Sequence, residues 1–182
     1  MADRQRPSGL VERLAAASIG ATFNFYRDGR RAPLLRRRLT AYVHGRASAS
    51  FLLVGEAAGY RGARISGLPF TSERQLSGTG PAEATATVVQ RALAELGVAD
   101  DVVLWNLVPT HPHRPGVANS NRAPTRAEID AARPFLDELA AGRRVVAIGR
   151  LAAERLGDLA VRHPSHGGAA AFRAGLAEVL AR

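Results

Sequence analysis

The sequence predicts an α/β fold: a three-layer α/β/α sandwich around a central, mainly parallel four-stranded sheet. Short apolar runs that end in polar residues or glycine alternate with segments of helical periodicity, the order that builds crossover units. The runs are apolar throughout, as strands covered on both faces require. The chain has 182 residues, 46% of them hydrophobic, enough for one core. One domain is therefore expected over 1–182, with a basic helical part at 1–49 and an α/β core at 50–182.

Residues 10–18 predict a short helix, "FNFYRDGRRAP" a turn-rich connection, and Leu34 to Tyr42 a second helix. "SFLLVG" (50–55) is short and apolar and ends in Gly, as a buried strand does. "PAEATATVVQRALAELG" (81–97) predicts a helix with Pro in its first turn and Gly just past its end. "DVVLWN" (101–106) predicts the second strand. "TRAE" (125–128) has capping-box spacing and should open a helix running to about Ala141, before Gly142. "RVVAIG" (144–149) predicts the third strand, followed by the helix "RLAAERLG". "DLAVRHPS" (158–165) holds a short fourth strand, and "AAAFRAGLAEVLA" is a closing helix.

Composition narrows the function. There is no Cys, which removes disulfides, thiolate nucleophiles and Cys-ligated metal or iron–sulfur sites. No run approaches the roughly 18 uninterrupted apolar residues of a membrane span. The N-terminal charges do not fit a secretory signal, so a cytoplasmic protein is expected, with no membrane partner. All 25 basic residues are Arg, and the formal net charge is +9. Residues 1–46 hold ten Arg against three acids, net +7, which leaves +2 for the remainder. A basic first quarter suits a polyanionic partner such as nucleic acid, and equally a solvated basic face.

In open parallel sheets ligands bind beyond the carboxyl ends of the strands. Those ends here carry Gly55-Glu56, Asn106, Gly149 and His163-Pro164-Ser165. The glycines of "VGEAAGYRG" allow close backbone approach, and Glu56 could orient a water or stabilise a cation, or be a surface carboxylate. The loop fits neither a dinucleotide fingerprint nor a Walker A loop. Phe70 in "GLPF" could stack on a planar ligand or sit in the core. Asn106 offers both a donor and an acceptor for a base edge, or bonds its own turn. His111 and His113 lie two apart with no further ligand at convincing spacing, so no metal is expected. "RHPSHGG" (162–168) lacks the nucleophile elbow of a Ser hydrolase. Its His could donate to a leaving group or lie exposed in a Pro/Gly loop.

The order and spacing of these pieces resemble the uracil-DNA glycosylase superfamily, most of all the branch that carries an iron–sulfur cluster. GEAAG (55–59) stands where that branch has Gly-Glu-Ala-Pro-Gly, and GLPF (67–70) where it has Gly-x-Pro-Phe. NLVPTHPH…NRAPTRAEIDAARPFL (106–136), VVAIGRLAAERL (145–156) and HPSHGG (163–168) complete five motifs in register over about residues 50–175. Ala58 replaces the Pro of the first motif. Thr110 and Ala132 stand where the branch has two cluster cysteines, so no cluster and no other cofactor is expected. The Tyr that bars thymine's methyl group falls at Gly59, beside Tyr60, and the Leu wedge has no counterpart.

The resemblance implies a monofunctional glycosylase that excises uracil from DNA in base excision repair. It implies Phe70 stacking on the extruded base, Asn106 reading its polar edge and His163 donating to its oxygen. Glu56 would position water or stabilise the cationic sugar. Gly55 and Ser165 complete the substrate-binding set, and Tyr60, Arg61, Arg64 and His166 are DNA contacts. The chain has no Lys to form a Schiff base, so strand cleavage by that route is excluded. The expected partners are uracil-containing DNA, single- or double-stranded, with free uracil as product, and the expected state is a bacterial monomer. A glycosylase for another base such as hypoxanthine, or a silent nucleic-acid-binding homologue, remains open.

Overall fold

A computed structural model describes residues 7–157 and 159–181. Arg4 and Arg6 of the basic N-terminal segment, and Asp158 at the head of the fourth-strand stretch, lie outside the described residues. In chain order the elements are α1 (Pro7–Ala16), β1 (Thr22–Phe23), α2 (Ala32–Gly45), β2 (Phe51–Ala57), α3 (Ala63–Ser66), α4 (Glu73–Ser77), α5 (Ala84–Glu95), β3 (Val102–Val108), β4 (His111–Pro112), α6 (Arg126–Ala140), β5 (Arg144–Ile148), α7 (Arg150–Leu156), β6 (Ala160–Val161) and α8 (Ala169–Leu180).

The main sheet has four strands in the order β3-β2-β5-β6, every pair parallel. Successive side chains of a strand point to opposite faces, and here both faces are covered. Leu52, Val54, Val103 and Trp105 pack with α1, α2, α6 and α7. Phe51, Leu53, Val102 and Leu104 pack with α5 and α8. This is the three-layer sandwich that the uninterrupted apolar runs predict. The capping box of α6 forms as its spacing predicts. Thr125 Oγ1 accepts from the Glu128 N–H at 3.2 Å, and Glu128 Oε2 accepts from the Thr125 N–H at 2.8 Å.

Four details differ from the sequence reading. β2 and β3 each run two residues further than expected, so Glu56 and Asn106 lie inside strands, and Gly55 is in register with Asn106. Helix α5 starts at Ala84 rather than Pro81; the Pro81 carbonyl instead accepts from the Arg74 N–H at 3.2 Å and closes the turn after α4. A second sheet, the antiparallel pair β1–β4, joins the N-terminal segment to the loop after β3. Two-residue strands have no periodicity to read. Finally, "RRRLTAYVHGR" is not a uniformly free basic surface. Arg38 is half-buried and binds the Glu73 carboxylate at 2.8 and 3.1 Å, while Arg36 donates to the Tyr26 carbonyl at 2.7 Å.

Candidate active site

The carboxyl ends of β2 and β3 open into a cavity of about 240 Å³ lined by Glu56, Phe70, Glu83, Asn106, Asn121, Arg122 and His163 among others. Its floor is built around Gly55. A Cβ there would collide with the Phe70 ring and come within 3.0 Å of Asn106 Oδ1. Glycine at that position is what lets an aromatic face and a carboxamide share one wall. Phe70 adopts φ 48°, a left-handed conformation costly for a bulky residue. Gln90 holds it there, donating from Nε2 to the Phe70 carbonyl and to Thr71 Oγ1, both at 3.0 Å. The ring is buried and also belongs to the core cluster facing α5 and α8.

Asn106 is 3% exposed, and its carboxamide makes no hydrogen bond among the described residues. Unlike the enclosed Nε1 of Trp105, its amide atoms are not sealed off and reach the cavity. The turn-residue alternative fails: Asn106 sits within a strand and bonds no turn. Its amide is left to whatever enters the cavity.

His163 is held by its own loop. The Ser165 N–H donates to His163 Nδ1 at 3.2 Å, and Ser165 Oγ lies 2.7 Å from the same atom. Nδ1 is therefore the acceptor, and the neutral ring carries its proton on Nε2. Burial and the neighbouring His166 lower the pKa of His163, which keeps it neutral. His166 is exposed at φ 51° and reaches Ser165 Oγ at 3.0 Å. Phe70 and His166 are the two non-glycine residues with positive φ among the described residues; Phe70 lines the cavity, while His166 and Ser165 lie behind His163, outside its lining.

Glu56 is exposed at the mouth, yet the surrounding walls push its carboxyl above the usual range. Glu83, which the sequence reading missed, lines the same cavity. Its carboxyl presses against Gly59 and Gly62, where any Cβ would collide with it, and burial raises its pKa. It makes no ion pair or side-chain hydrogen bond among the described residues. Asn121 and Arg122 were missed as well. Asn121 Oδ1 accepts from the Tyr60 N–H at 3.0 Å, and Arg122 pairs with the buried Glu128 at 2.6 Å. Glu83 opens a helix and the other two lie in a long loop, positions that carry no strand-exit signal.

The expected DNA contacts Tyr60, Arg61 and Arg64 do not line this cavity but a separate groove next to it. Arg61 is exposed and stacks on Tyr60 at 5.4 Å. Arg64 is half-buried; it donates to the Ala118 carbonyl at 2.8 Å and to Asn119 Oδ1 at 3.0 Å, which fixes the loop around it.

The loop after β3 is anchored from inside. Thr22 Oγ1 donates to the Ile19 carbonyl at 2.7 Å, so Thr110 donates to Thr22 Oγ1 at 2.6 Å. His111 is fully buried, and its Nδ1 donates to the Ala58 carbonyl at 2.7 Å. Ala132 is buried in the packed face of α6. The positions matched to cluster cysteines are thus filled by a hydroxyl pair and a methyl group. Among the described residues there is no group of three or more potential metal ligands, and no helix long and apolar enough to cross a membrane.

The family model described as the uracil DNA glycosylase superfamily matches residues 42–179, about three quarters of the chain. No curated protein sequence matches. Among solved structures, the crystal structure of wild-type Pedobacter heparinus SMUG2 is similar in fold. Its TM-score is 0.66 at 13% sequence identity, and the match covers 97% of each chain.

Proposed function

The chain belongs to the uracil DNA glycosylase superfamily, and on that premise we propose that it is a monofunctional glycosylase that extrudes uracil from DNA and hydrolyses its N-glycosidic bond. The observation that carries this reading is the cavity-facing carboxamide of Asn106, without a protein partner among the described residues, beside the Phe70 ring. One face of the cavity offers a stacking plane and one edge offers a donor and an acceptor, the two contacts that recognise an extruded base. Uracil meets that amide with one acceptor oxygen and one ring N–H, and cytosine, which exchanges the two, would require the amide to turn over. We also assign the chain to a lineage related to the iron–sulfur branch in which internal hydrogen bonds replace the cluster.

In the proposed reaction the bond between the base nitrogen and the sugar C1′ breaks, and its electron pair leaves with the base. His163 Nε2–H donates to the base oxygen on which that charge collects. A preorganised donor of this kind is often worth about 3 kcal/mol. Water adds to C1′, positioned by the Glu56 carboxylate, which also opposes the positive charge on the sugar; the proton the water loses balances the one the base anion takes up to leave as neutral uracil. Without Lys, no lysine Schiff base forms and strand cleavage by that route is excluded; alkali cleaves the abasic site.

Glu83 favours a second reading. Uracil joined to a sugar has one ring N–H, which Asn106 can meet alone. A second acceptor in the cavity suits a deaminated base that offers a further N–H. The test is product analysis on oligonucleotides that each carry one modified base. Release of free uracil with an alkali-labile site supports the first reading, and release of another base supports the second. Salt-sensitive binding with every base left intact would make the protein a silent homologue.

A further inference from the structure

We propose that Glu83 takes the proton from the attacking water, so that the reaction uses two carboxylates with separate tasks and Glu56 keeps its charge against the sugar cation. The two tasks conflict on one group. A carboxylate that has accepted a proton is neutral and no longer opposes a positive charge. Hydrolysis at C1′ needs both together, because the sugar is cationic while the O–H bond of the water breaks. Two carboxyl groups in one site can divide such tasks when their surroundings differ.

The titratable or charged side chains that line the cavity are Glu56, Glu83, Arg122 and His163. Arg122 is a cation paired with Glu128 at 2.6 Å. His163 Nδ1 is occupied by Ser165, and Nε2 already carries the ring proton. The Asn106 amide is no base. Only the two carboxyls are left to accept a proton, and their places differ. Glu56 is exposed at the mouth, where water supports its charge. Glu83 is half-buried, and its carboxyl lies against Gly59 and Gly62, where any Cβ would collide with it. It makes no ion pair and no side-chain hydrogen bond among the described residues. Burial raises both carboxyls, and the more enclosed one, without cation or donor, is the better proton acceptor. Its segment forms the rim of the cavity: Pro81 and Ala82 face the neighbouring groove, while Glu83 and Thr85 face inward. A base lying on Phe70 leaves its sugar at that rim. Asn106 alone meets the single ring N–H of uracil, so Glu83 has no task on the base.

The C1′–N bond breaks with its electron pair on the base, the water oxygen bonds to C1′, and one water proton passes to the Glu83 carboxylate. That proton then reaches the base anion, directly or through water, and the carboxylate is restored. The inference rests on the uracil reading, and one set of single-turnover rates separates the two. Uracil release is followed from pH 5 to pH 8 in wild type, Glu83→Gln and Glu83→Ala, with thermal melting to check each fold. Glu83→Gln should be about 10²- to 10⁴-fold slower, the usual share of a general base, with KM little changed. Wild type should slow as pH falls and Glu83 takes up a proton. Glu56 and His163 are intact in the variant, so the part of that acid limb which Glu83→Gln removes belongs to Glu83. Added formate should speed Glu83→Ala, where a small carboxylate fits the vacated space, and should not speed Glu83→Gln, whose amide fills it. A folded Glu83→Gln with the wild-type rate and pH profile overturns the role of Glu83 and leaves the uracil reading standing. A slow Glu83→Ala that formate does not restore overturns it too, since the side chain would then act through structure alone. Wild type that releases no uracil removes the uracil reading and this inference with it.

Discussion

The backbone N–H of Ser165 donates to His163 Nδ1 at 3.2 Å, which leaves the imidazole proton on Nε2. A two-residue loop contact thus selects the tautomer that can donate into the cavity. His163→Ala should lower kcat by about 10²- to 10³-fold, the usual loss for one directed donor. KM should change little, because the donor acts on charge that develops only in the transition state. Single-turnover kinetics on a uracil oligonucleotide separates the two constants. An equal loss in KM with kcat intact would make His163 a ground-state contact.

Gly55→Ala should be far more damaging than its size suggests. The new Cβ would occupy space held by the Phe70 ring and crowd Asn106 Oδ1. Overpacking of this kind costs about 1–3 kcal/mol of stability. The expected result is a folded protein with a lower melting temperature and excision reduced at least about tenfold, since small misplacements at a reacting centre cost more than that. Activity equal to wild type would mean that the ring and amide need not share this wall.

His111 gives the fold an acid-sensitive anchor. Burial lowers its pKa, so the folded state holds it neutral while the unfolded chain protonates near about 6.5. For a depressed His, stability is present above the unfolded pKa and is lost as pH falls toward the folded one. Melting temperature should therefore drop between pH 7.5 and 5.5. His163 shifts the same way, so the comparison is made in a His163→Gln background. There, adding His111→Asn should flatten the drop; an unchanged slope would remove His111 as its cause.

Glu83 should trade stability for function. Its carboxyl is raised by burial, so the native state favours protonation more than the unfolded chain does. That contribution is full below the unfolded carboxyl pKa and is lost as pH rises through the folded one. At neutral pH a Gln of the same shape should stabilise the protein, raising the melting temperature by roughly 1–4 °C. Scanning calorimetry of Glu83→Gln at pH 7.5 and pH 4 checks the sign: the gain should shrink at the lower pH.

The sheet was legible because its strands are uninterrupted apolar runs, and Glu56, Asn106 and His163 were legible because each lies near a strand exit. The structure brings all three, with Phe70, to one cavity. What the sequence hid depends on distant partners. Glu83 belongs to the cavity only because Gly59 and Gly62 leave room for its carboxyl. The pairing of Thr22–Phe23 with His111–Pro112 has no local signature, yet it anchors the loop and shapes the groove beside the pocket. His111, read in the sequence only as half of a closely spaced His pair, is fully buried and anchors the loop. Arg38, counted with the basic first quarter, is committed to Glu73, and Arg64, expected as a DNA contact, is committed to the loop at Ala118–Asn119.

Asn106 is the proposed reader of the extruded base. The most direct measurement is the single-turnover rate of uracil release from a single-stranded oligonucleotide by wild type and by Asn106→Ala. Wild type should release free uracil and leave an alkali-labile site, and Asn106→Ala should be slower by at least about 100-fold, the loss expected when the polar edge goes unread. A folded Asn106→Ala that releases uracil at the wild-type rate would contradict the account.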